Sequence, residues 1–269
     1  MYSPALRVRA QSDRGLIESN FDTMARIRHL SRAPIAEAVI DLRVQPTDGV
    51  SAESFSTISE LLKDSYPILQ RVESLETTFG IQEGQSQPPQ LTYSEIGILL
   101  KSRDQRNVAQ FRTNGFTFNR LPPYTSWEEV FPEAIELWER YRGLATPARV
   151  TRIAVRYINR LPFALPVDLS EYLTASPSIP DSFPQVLRAY LTRLVLSDAE
   201  TANSVIVTQA PEPSADADHV VVLLDVDAYR DVDMDPGDPR IKEILGSLRE
   251  LKNRVFFGSI TERTAEMHE

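Results

Sequence analysis

The chain has 269 residues, 42% hydrophobic and 25% charged, the balance of an ordinary globular protein large enough to bury its own core. It contains no cysteine, which excludes disulfides, thiolate nucleophiles, zinc ribbons and iron–sulfur clusters and points to a reducing cytoplasm. The formal charge of -9 is uneven: 19 acids stand against 9 bases after residue 162, but 19 against 20 before it.

Of the 29 basic residues 25 are arginine, the side chain that grips carboxylate or phosphate in a planar, bidentate way; base composition of the coding sequence is the plainer explanation. No apolar run approaches the roughly 18 residues of a bilayer span. Arg7, Arg9, Asp13 and Arg14 interrupt the N-terminus where a signal peptide would be apolar. A cytoplasmic chain with no membrane association is expected.

Residues 1–29 lack periodicity and read as an N-terminal arm, disordered or an over-long start, with Met24 as an alternative first residue. Ala38 to Val44 alternates, with Ile40, Leu42 and Val44 on one side, and predicts the first strand. Ser51 then caps a helix carrying Phe55, Ile58, Leu62 and Leu69 that ends or kinks near Pro67. Strands are predicted over 74–82 and 91–102, split by a loop at Gly84–Pro89, and over 108–121 with a bulge at Asn114-Gly115. Ser126 and Glu129 form a capping-box pattern before a helix with Trp127, Val130, Ala134, Leu137, Trp138 and Tyr141. The strongest strand is 150–161.

A short helix at 168–173 and an irregular proline-rich stretch follow, then strands at 186–197, 203–210 and 219–229. Asp238-Pro239 opens the last long helix, faced by Ile241, Ile244, Leu245, Leu248, Leu251 and Val255; Gly258 breaks it before a second capping box at Ser259 and Glu262. The order strand, helix, three strands, helix occurs twice. It predicts an α+β fold: one large, mainly antiparallel sheet in a single domain over 30–269. Two pseudo-repeats (30–146 and 147–269) would build it, with long helices on one face.

Period two places Arg152, Arg156 and Arg160 on one face of their strand, Arg152 and Arg156 about 13 Å apart, opposite Ile153, Val155, Tyr157 and Leu161. Arg112 and Arg120 share parity if no bulge intervenes, and Arg43 lies opposite the apolar side of the first strand. Such a basic face either binds an anionic ligand or acidic partner or is neutralised by carboxylates on neighbouring strands. Asp225 and Asp227, opposite Val220, Val222, Leu224 and Val226, belong to the same kind of face and favour pairing.

The run from Asp231 to Asp238 fails as a calcium loop because Gly237 and Glu243 each come one position late, so it reads as a solvated turn at a helix start. His29, His219 and His268 are too scattered for a catalytic triad, and no phosphate-binding glycine loop, nucleophile elbow or dinucleotide fingerprint is present. The acidic balance disfavours nucleic acid, although Phe116, Phe118 and Tyr124 near Arg112 and Arg120 have the composition of a base-stacking surface.

Several segments carry a resemblance: Leu30 to Val39, Phe116 to Tyr124 with Trp127, Arg152 to Arg160, Leu224 to Tyr229, and Asn253 to Phe257. Through them the chain resembles, over about residues 28–260, a sporadically distributed family of bacterial and archaeal proteins of unknown function. The resemblance implies no reaction; the patchy distribution implies accessory cargo such as a defence or toxin–antitoxin component. Its most recognisable motif includes Tyr157, Asn159 and Arg160. Asn159 on an apolar face needs partners, Glu37 being one candidate, in a structural polar network or the wall of a pocket.

The expectation is a non-enzymatic binding module. Its ligand-binding residues would be Arg112, Arg120, Arg152, Arg156, Arg160, Tyr157 and Asn159, and its partner a protein or an anionic small ligand. No cofactor is required, and a homo-oligomer is compatible. The alternative is an enzyme acting on a phosphorylated or nucleotide substrate, with Mg²⁺ on Asp225 and Asp227.

Overall fold

The computed structural model describes residues 24–78, 81–82, 85–86, 90–212 and 216–269, with backbone alone over 75–92. Residues 1–23 of the expected arm lie outside this set. Residues 24–29 are tied to the C-terminal end: Ala25 N–H donates to Ile260 O at 3.0 Å, and Arg28 bridges Glu262 and Glu269.

Strand β1 (Ile35–Gln45) alternates as its sequence requires, with Ile40, Leu42 and Val44 buried and Arg43 exposed. After it come a 3-10 turn (Ala52–Phe55) and the short helix α1 (Ser56–Leu62). Leu69 lies beyond α1: Pro67 stops the helix, and Leu69 stands in β2 (Ile68–Thr78), which therefore begins six residues before the predicted strand. β3 (Ile81–Gln82) and β4 (Gln85–Ser86) pair with each other, so part of the predicted Gly84–Pro89 loop is a small hairpin. The rest of that loop lies outside the described residues.

β5 (Gln90–Lys101) is followed by β6 (Asn107–Arg112) and β7 (Gly115–Arg120). The predicted bulged strand over 108–121 is thus a hairpin. Gly115 fits its turn because a Cβ there would lie 2.7 Å from the Leu42 carbonyl oxygen.

Helix α2 (Trp127–Ala145) starts where Ser126 Oγ accepts from Glu129 N–H at 3.3 Å. β8 (Arg149–Ala164) and a 3-10 turn (Leu169–Glu171) precede β9, which covers Thr192–Ser197 only, the first part of the predicted 186–197 strand being irregular. β10 (Ser204–Glu212) and β11 (His219–Met234) follow. α3 (Arg240–Ser259) runs through Gly258 without a break, and α4 (Glu262–Glu266) is capped by Thr261, not Ser259.

Nine strands form one antiparallel sheet in the order β2-β5-β6-β7-β1-β8-β11-β10-β9. β1 and β8 lie side by side at the centre, Ile40 opposite Val155 and Leu42 opposite Ile153. The apolar side of these strands joins a continuous core: Tyr141 of α2 stacks on Phe55 with ring centres 5.9 Å apart and donates to the Arg112 carbonyl at 2.9 Å. From α3, Leu245 and Leu248 are fully buried. No helix among the described residues is long and apolar enough to cross a membrane.

Candidate functional site

Two regions compete as the functional site, the arginine-bearing face of the central strands and a cavity on the opposite side of β8. On the first, register sets Arg156 between Val39 and Asp227, and Ala154 between Asp41 and Tyr229. The guanidinium groups then find carboxylates across the strands. Arg156 grips Asp225 with both prongs, Nε to Oδ1 at 2.8 Å and Nη2 to Oδ2 at 2.7 Å. Arg152 donates to Asp227 at 2.8 Å and lies 3.5 Å from Asp41, with its guanidinium 4.6 Å from the Tyr229 ring centre.

Arg160 donates to Glu212 at 2.7 Å, and Arg112 donates to Thr117 at 2.7 Å and Asp41 at 3.2 Å. Burial pushes the Asp227 carboxyl above its ordinary value, against the pull of Arg152 and Arg156. Asp225 gives both carboxylate oxygens and Asp227 its Oδ2 to arginine, while Asp227 Oδ1 is buried without a hydrogen-bond partner. Among the described residues no group of three or more histidine, aspartate or glutamate side chains is gathered for a metal.

Arg120 does not share this face. The turn at 113–114 reverses the chain, so parity cannot be carried from Arg112 to Arg120. Arg112 opposes Gly115, whereas Arg120 opposes Ala38 and Asn107 on the core side. There it donates to Asn107 Oδ1 at 2.7 Å, and Asn107 donates to Glu133 of α2 at 2.6 Å, which also receives Tyr66 at 2.5 Å. Arg120 is thus part of a structural network under α2.

Tyr157 and Asn159 point to the core side of β8 and form the floor of a cavity of ≈ 300 Å³. Its walls are the chain at 27–35, the start of α2 from Tyr124 to Glu128, and α3 from Arg249 to Phe257. Tyr157 and Tyr124 join hydroxyls at 2.7 Å with their rings edge to face, and burial raises both phenols above their ordinary value. Asn159 is 1% exposed and donates to the Leu224 carbonyl at 3.0 Å and the Tyr157 carbonyl at 3.2 Å. Glu37, one candidate partner, receives Asn119 instead.

The residue that sets this cavity apart is Lys252. At 6% exposure it is the one buried lysine, arginine, aspartate or glutamate among the described residues. Its Nζ lies 3.6 Å from the Tyr157 ring centre and donates to Asn253 Oδ1 at 2.5 Å; no described carboxylate pairs with it. Burial, helped by the Arg249 charge, lowers the ammonium from 10.5 to about 7. Arg249, over the Trp127 ring and 3.1 Å from Glu128, closes one side.

Neither Lys252 nor Arg249 is among the residues the motifs single out. The signal was there: Ile241, Leu245, Leu248, Lys252 and Phe256 fall on one helical stripe, and a lysine amid four apolar residues is out of place in a chain with only four lysines. No model of a known protein family matches this chain, and no curated protein matches it.

Proposed function

We propose that the protein binds a small organic anion in the cavity floored by Tyr157 and Asn159, with Lys252 as the counter-charge. The observation that carries this reading is an ammonium buried beside a cavity and paired with no carboxylate among the described residues. A buried charge is tolerated when something compensates it, and no carboxylate among the described residues does so for Lys252. A ligand carboxylate or phosphate supplies the compensation and draws strength from the low local dielectric.

Tyr124, Trp127, Tyr157, Phe256 and Phe257 line the same space. They favour a ligand with a flat or apolar body behind its acidic group. At ≈ 300 Å³ the volume suits a metabolite rather than a polymer.

The arginine ladder is the weaker site because its partners are already present: Arg112, Arg152, Arg156 and Arg160 each meet a carboxylate. We read that face as structural. The two halves we read as pseudo-equivalent, since β7-β6-β5 beside β1 is matched by β11-β10-β9 beside β8, and we read the long helix that follows each set of strands as lying on one side of the sheet. The cavity then falls where segments of both halves meet.

Benzoate and phenyl phosphate, titrated at pH 6.5 against thermal unfolding and the fluorescence of the two tryptophans, test the reading. Ligand at 100 times its Kd stabilises by about 2.7 kcal/mol. The expected result is a shift in the wild-type protein that disappears in Lys252→Met. Equal shifts in both proteins, or none in the wild type with any aryl acid of that size, overturn it.

A further inference from the structure

The two ends of the nine-stranded sheet are guarded very differently. β2, at one end, carries Arg71 and Glu73 and a register shift between Val72 and Glu73, features that blunt a free strand edge. β9, at the other end, reads Thr-Arg-Leu-Val-Leu-Ser with no register shift against β10. Its Leu194, Val195 and Leu196 are 43, 58 and 49% exposed, and Leu191 just before it is 73% exposed. Leu194 and Leu196 stand opposite the buried Val207 and Val205, so the apolar side of the sheet runs out to the last strand and stops in solvent.

We infer that β9 is a homodimer interface, pairing antiparallel with β9 of a second copy to continue the sheet across a two-fold axis through Val195. In an antiparallel pair residues facing each other lie on the same side of the sheet, so a perpendicular two-fold axis must pair residues whose numbers differ by an even amount.

Centring on Val195 meets that rule and sets Leu194 opposite Leu196, Arg193 opposite Ser197, Thr192 opposite Asp198, and Val195 opposite itself. Leucine meets leucine twice on the core side, and no like charges face one another. The outward backbone N–H and C=O groups of β9 gain partners at the same time. The four apolar side chains expose on the order of 400 Å² per copy, about half of the roughly 800 Å² per partner of a standard interface, and the strand backbone adds to it. Self-complementarity of this short strand is what selects a second copy over an unrelated protein.

The self-opposed position gives a decisive experiment. Sedimentation of the full chain at about 50 μM should show a dimer for wild type and monomers for Val195→Asp and for Val195→Lys, because each sets like charges face to face. An equimolar mixture of the two variants should return to a dimer containing one of each. Val195 is more than half exposed, so the circular dichroism spectra of the single variants should match wild type, and their melting should fall only by what the lost dimer contributes.

A wild-type monomer overturns the inference, as do variants that remain dimeric alone. Monomers in the mixture overturn the register about Val195. None of these outcomes depends on the cavity, which β9 does not line.

Discussion

Replacing Lys252 by methionine should stabilise the unliganded protein near neutral pH and abolish anion binding together. The unfolded chain holds the lysine proton up to about 10.5 and the folded chain only to about 7. Between those values the unfolded state binds more protons, so wild-type stability rises with pH across this window. Below pH 7 both states carry the charge and the folded state bears the full cost of burying it.

At 1.36 kcal/mol per pH unit the separation of these two values amounts to roughly 5 kcal/mol. Methionine fills a similar volume without charge and removes the pH dependence. Urea unfolding of both proteins from pH 6 to pH 10 measures the difference directly. The advantage of Lys252→Met should be largest at pH 6 and shrink by about 4 kcal/mol towards pH 10. A gap that does not change with pH would refute the buried, uncompensated ammonium and with it the basis for the anion site.

The polar face gives a contrasting expectation. Asp225 is more shielded than Arg156, with side-chain exposures of 13% and 45%. Arg156→Met should therefore cost about 2 kcal/mol and Asp225→Asn about 1 kcal/mol, with a coupling near 1 kcal/mol in the double-mutant cycle by chemical denaturation.

Gly97 lies where a Cβ would meet the Phe111 carbonyl oxygen at 2.1 Å, so Gly97→Ala should force β5 from β6 and cost about 3 kcal/mol, read as a lowered urea midpoint. Asn159→Leu deletes the donors to the Leu224 and Tyr157 carbonyls and should cost about 1–3 kcal/mol in the same assay. Unchanged midpoints would contradict the packing at either position.

Much of the fold was legible because alternation is written into the strands. In β1 and β8 every second residue is apolar, and the parity that isolates Ile153, Val155 and Tyr157 also aligns Arg152, Arg156 and Arg160. What failed was local punctuation. The turn at 113–114 is short enough to pass for a bulge, and Arg120 shares a face with Arg112 only in an unbroken strand, a condition the hairpin removes. Leu69 continued the apolar spacing of α1 although Pro67 had already ended the helix.

The site was half legible. Tyr157 and Asn159 stood out as polar groups on an apolar strand face, but Lys252 comes from a helix some 90 positions later, and only the packing of α3 on β8 brings it over the Tyr157 ring.

The uneven charge of the sequence follows from the strand order. β8 is flanked by β11, so its basic residues meet acids drawn from the chain after residue 162: Arg149 with Asp233, Arg152 with Asp227, Arg156 with Asp225 and Arg160 with Glu212. An arginine-rich strand and an acidic C-terminal stretch are then two sides of one cross-strand arrangement, each present because the other is. Arginines so matched define register, because a slip of one residue would turn each of them into the core.

The same logic isolates Lys252. Four arginines of β8 are matched to carboxylates, whereas this ammonium lies among aromatic rings, where an apolar residue would be more stable. On the proposed reading, the cost of burying this group is met by a partner, and for a cation beside a cavity the partner proposed is an anion.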